Sequence, residues 1–142
     1  MTAIHHIDAL DTTVQTTHQW LAEICQRLDW TDQHQAYHAL RAVLHALRDR
    51  LSVNEAAAFG AQLPLLVRGI YYEGWHPAGK PLKFRTKSGF LAHLAPEFRN
   101  DPAVDLEKVS QAVFDVVAGH ISAGEVDSVI RCMPPAIREL WV

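Results

Sequence analysis

Five cations and aromatics crowd one stretch of this chain: Trp75, Lys80, Lys83, Phe84 and Arg85, with Lys87 just beyond. Lysine and arginine neutralise phosphate, and flat rings stack on bases, so this mixture could bind an anion or a nucleic acid. Two histidines, His34 and His38, stand four residues apart and share a helix face, the spacing from which imidazoles can hold a metal ion if another ligand approaches. His45 lies seven residues further on, and His5-His6 sits in the amino-terminal tail. The bland reading of the histidines is solvated surface, since the counterparts of His38 and His45 in an internal repeat are Lys108 and Asp115. The bland reading of the basic stretch is a linker whose rings fold onto the core.

Other chemistry is not visible. There is no G-x-S-x-G elbow, no G-x-G-x-x-G and no Walker pattern. Cys25 and Cys132 have no C-x-x-C spacing, and both fall in apolar-periodic stretches, so they read as buried reduced thiols in a cytoplasmic protein. The Arg48-Asp49-Arg50 run reads as a charged helix end. No catalytic residue and no cofactor is expected.

The elements that must position these groups are helices. Val14, Thr17, Leu21, Ile24 and Leu28 form one apolar stripe, and Ala36, Leu40, Val43, Leu44, Leu47 and Leu51 form a second. Thr31 is the expected cap of the second helix. Ser52-Val-Asn-Glu55 reads as a capping box, in which hydroxyl and carboxylate satisfy two orphan amides. Pro64 then demands a break and a fresh short helix.

The same order returns in the second half of the chain. Trp20–Tyr72 laid against Phe90–Val142 needs no gap and gives eight identities, among them Ser52/Ser122, Glu55/Glu125, Pro64/Pro134 and Arg68/Arg138. Pairs such as Trp20/Phe90, Leu44/Phe114, Leu63/Met133 and Tyr71/Trp141 keep large apolar character. Matching apolar positions imply matching buried faces, and hence a tandem duplication of one helical unit. In the second copy Asp101-Pro102 reads as cap and first helical residue. Glu55 and Arg68 are expected to pair, as are Glu125 and Arg138, because each couple is 13 residues apart.

The expected architecture is all-α: one domain over 1–142 with six to eight helices. Internal repeats 14–72 and 86–142 form one pseudo-symmetric bundle, joined by loop 73–85. The 49% apolar content and net charge of −3 exclude disorder and argue against whole-surface nucleic-acid affinity. No apolar run is long enough to span a bilayer, and the amino terminus does not read as a secretory signal.

Residues 39–52 (Ala-Leu-Arg-Ala-Val-Leu-His-Ala-Leu-Arg-Asp-Arg-Leu-Ser), residues 61–69 (Ala-Gln-Leu-Pro-Leu-Leu-Val-Arg-Gly) and their degenerate second copy resemble the bacterial family called domain of unknown function 2267. The resemblance covers about residues 15–142. It implies a small helical protein and supplies no activity. The aromatic, basic linker and Gly60 depart from the family's pattern. The leading expectation is therefore a non-catalytic interaction module that binds a protein partner or itself. The alternatives are anion or nucleic-acid binding through the linker, and a metal-binding protein or metalloenzyme using the helix histidines.

Overall fold

A computed structural model describes residues 6–141, so His5 lies outside the described residues. Within them every regular element is helical. Helix α1 (Asp8–Leu28) and α2 (Gln33–Arg50) are followed by the short α3 (Val53–Gly60) and α4 (Leu65–Tyr72). After a connection over 73–86 come α5 (Lys87–Leu94), a 3-10 turn (Ala95–Phe98), α6 (Leu106–His120) and α7 (Ala123–Cys132). The single turn α8 (Pro135–Arg138) and a 3-10 turn (Glu139–Trp141) close the chain.

Helix α2 lies at the centre, packed on α1, α4, α5 and α6, and α3 packs on α7. The reason is its composition. Ala36, Ala39, Leu40, Ala42, Val43, Leu44, Ala46 and Leu47 are all buried, so α2 is apolar on more than one face and needs neighbours on each. Residues paired by the 70-residue offset are buried on both sides at Trp20/Phe90, Ile24/Leu94, Val43/Val113, Leu47/Val117, Phe59/Val129, Leu63/Met133, Val67/Ile137 and Tyr71/Trp141.

The starts of α2, α3, α5, α6 and α7 carry side-chain caps, with two corrections to the expected residues. Asp32, not Thr31, caps α2, its carboxylate accepting from the His34 amide at 2.9 Å. Asp105, not Asp101, caps α6, accepting from the Glu107 and Lys108 amides. Asp101-Pro102 instead lies in the turn that precedes it. Ser52 forms the full capping box with Glu55, whereas Ser122 receives the Glu125 amide at 3.3 Å and no reciprocal bond is formed.

The expected ion pairs do not form. Arg68 donates to the carbonyls of Gly60, Ala61 and Leu63, and Arg138 to those of Arg131 and Met133. Helix ends leave carbonyls without partners, and an arginine returning from the next helix supplies several donors in one fork. Glu55 is already committed to its own helix start. Both arginines therefore cap the preceding helix rather than meet a carboxylate.

Candidate functional site

The connection over 73–86 is held down rather than free. Arg48 and Asp49, in the last turn of α2, are only 4% and 7% exposed. Arg48 donates to both Asp49 carboxylate oxygens and to the carbonyls of Tyr71 and Glu73. His93 of α5 reaches the same carboxylate at 3.2 Å. The Asp49 carbonyl accepts from Leu82, and Arg50 donates to the Phe84 carbonyl. Three consecutive residues thus fasten the end of α4, the connection and α5 to one helix end. Burial opposes ionisation of Asp49, but hydrogen bonds from His93 and Arg48, with the charges of Arg48 and Lys80, outweigh it and hold the carboxyl at about 2.

This clamp decides what the basic, aromatic segment offers. Trp75 is half-buried with its ring tilted over Tyr72 at 5.4 Å, and its indole nitrogen is enclosed. Phe84 is half-buried between Phe90 and His93. Lys87 opens α5 and is committed to Glu107 at 2.8 Å and Glu139 at 3.4 Å. Lys80 is half-buried near Asp49, and only Lys83 and Arg85 of the group are exposed. Both rings lean on the core.

The histidines are engaged, not merely solvated. His45 donates to the Ile70 carbonyl at 2.8 Å, and burial lowers its pKa. His38 Nδ1 meets Glu97 at 2.7 Å, and His38 Nε2 lies 3.3 Å from His34 Nε2. Arg41 bridges Glu97 and Glu73. Sequence reasoning missed Arg41, Glu73, His93 and Glu97. It read Arg48-Asp49-Arg50 as a charged helix end, which it is, but did not foresee the burial of Arg48 and Asp49, although Arg48 falls four residues after Leu44 and three before Leu51, on the apolar stripe itself.

The thiols are quiet. Cys25 is buried, Cys132 half-buried, and both are free. Burial and the neighbouring Glu55 push the Cys132 thiol up to about 11, so it stays protonated at neutral pH.

One apolar surface has no cover. Leu10 (51% exposed) and Val14 (46%) lie on α1, and Leu65 (55%) and Leu66 (39%) open α4. The two helices meet there, because the Thr13 hydroxyl accepts from the Leu66 amide at 2.9 Å. Thr17, Leu21, Tyr37 and Ile70 line a groove that continues from Leu66. No described helix is long and apolar enough to cross a membrane.

No curated protein matches the chain. Residues 17–140 match the family described as "Uncharacterized conserved protein (DUF2267)". With nearly the whole chain inside that match, this helical protein belongs to the DUF2267 family.

Proposed function

We propose that the chain is a non-catalytic interaction module that docks a protein partner, or a second copy of itself, through the apolar face shared by α1 and α4. The observation that carries this is the exposure of Leu10 and Val14 on α1 and of Leu65 and Leu66 on α4, two helices joined there by the Thr13–Leu66 hydrogen bond. Scattered apolar residues on a surface are ordinary, but a contiguous group flanking a groove is what contact surfaces present. The rest of the molecule suits a scaffold: its strongest polar cluster is spent fastening a connection, and its cysteines are protonated. The free thiols suit a reducing compartment such as the cytoplasm.

We further infer that the two halves are copies of one helical unit packed about a pseudo-twofold relation. The matched burial of equivalent positions supports it, as do Arg68 and Arg138 donating to the equivalent carbonyls of Leu63 and Met133.

Light scattering across a dilution series, paired with capture from lysate, tests the docking face. Association is expected for the native chain and is lost in Leu10→Asp and Leu65→Asp, which alter exposed side chains and leave the helices intact. A native chain that stays monomeric and captures nothing that these variants fail to capture overturns the reading.

A further inference from the structure

We propose that His34 and His38 form a two-histidine site for a Zn2+ ion, on the open surface between the start of α2 and the 3-10 turn after α5. The site is separate from the apolar face of α1 and α4. Its basis is the distance and the chemistry of the surrounding groups. Two imidazole nitrogens, each about 2.0–2.1 Å from one tetrahedral Zn2+, stand about 3.3–3.4 Å apart. His34 Nε2 and His38 Nε2 are 3.3 Å apart already, with their rings almost perpendicular.

The tautomer is set by the neighbour. The Glu97 carboxylate only accepts, so the hydrogen between it and His38 Nδ1 at 2.7 Å belongs to the ring. A neutral His38 therefore presents a lone pair on Nε2. A carboxylate behind a ligating histidine is the usual outer support of zinc sites, fixing the ring and raising its basicity. Glu97 is itself fixed, since Arg41 donates to both of its oxygens at 3.3 and 2.9 Å. Without an ion, one hydrogen lies between the two Nε2 atoms. When Zn2+ takes that place, His34 carries its proton on Nδ1 and no covalent bond is made or broken elsewhere.

The surroundings favour a cation. Asp32, Glu97 and Asp101 line the same cleft of about 480 Å3. The amino end of α2 would repel a metal ion, but Asp32 covers it by accepting the His34 amide. Among the described residues no set of three His, Cys, Asp or Glu side chains converges closely enough to hold a metal. Two coordination positions are thus left to water or to a group carried by another molecule, and the ion exchanges readily.

Calorimetric titration of the untagged full chain with Zn2+ tests this, beside His34→Gln, His38→Gln, Glu97→Gln and the exposed-loop control His76→Gln. His34 is exposed, so its variant keeps the fold, and equal thermal midpoints without metal verify this. The expected result is one binding step weakened by about tenfold or more in His34→Gln and His38→Gln, weakened by about 10–100-fold in Glu97→Gln, and unchanged in His76→Gln. An isotherm for His34→Gln within about twofold of the native one overturns the site, as does a native chain that binds no Zn2+.

Discussion

The last turns of α2 and α6 fall at matching positions when Trp20–Tyr72 is laid against Phe90–Val142, and both end stretches of buried apolar side chains, yet they carry opposite chemistry. Helix α2 finishes on Arg48-Asp49-Arg50, which grips the connection and α5. Helix α6 finishes on Ala118-Gly119-His120, and only His120 reaches out, to Glu23 at 2.8 Å with its ring stacked on Trp20. Only the first half has a long connection to restrain. Apolar positions are held alike by the need to fill one core, while polar positions answer to the segment that passes beside them.

The largest break in that comparison should come from Arg48→Met. It leaves the buried Asp49 carboxylate with His93 alone and two carbonyls without their donor, and breaking one partner of a buried pair costs about 3–5 kcal/mol. Urea unfolding measures it, and Ala118→Ser at the matching position should stay within about 0.5 kcal/mol. If both cost the same, the asymmetry between the two helix ends is not energetic.

Acid sharpens the same point. Asp49 titrates at about 2 in the folded chain against an ordinary 3.8, so its contribution is complete above pH 4 and decays as pH falls toward 2. Linkage puts the loss at about 2 kcal/mol. Unfolding midpoints between pH 5 and pH 2 should fall more steeply in the native chain than in Asp49→Asn. Parallel profiles would remove Asp49 from the account.

Gly60 is the next contrast, since its counterpart is Ile130. A Cβ at Gly60 would run into the Tyr72 ring and hydroxyl, where an α3 end and an α4 end meet. Gly60→Ala is expected to cost about 1–3 kcal/mol from overpacking, read as a lowered thermal midpoint. Pairing it with Tyr72→Phe keeps the clash with the ring, and pairing it with Tyr72→Leu should recover part of the loss.

The smallest effect separates the two helix starts. Ser52→Ala breaks a two-way box and should cost about 1 kcal/mol. Ser122→Ala removes a single long bond and should cost less. Equal costs would mean that the second box closes in solution.

Helix number, the apolar faces and the family were legible because burial at regular spacing is written directly into side-chain type. Polar partners were not. Asp101 and Asp105 are equally good caps by type, and what separates them is where the 3-10 turn of Ala95–Phe98 delivers the chain. Glu55 and Arg68 look complementary on paper, but the nearest acceptors for Arg68 are carbonyls, which every residue carries and no pattern marks. Likewise Arg48 breaks an apolar stripe by type while its length lets it reach two carbonyls from within it. The linker's rings were singled out for their chemistry, but Trp75 leans on Tyr72 and Phe84 on Phe90 and His93, ring contacts that no spacing rule marks.

The fastening of residues 73–86 also governs what a cut would do. A protease nick at the exposed Gly79 severs the covalent thread, yet Arg48, Asp49 and Arg50 still hold Glu73 on one side of the break and Leu82, Phe84 and His93 on the other. The two fragments would migrate together under native conditions and part only in denaturant.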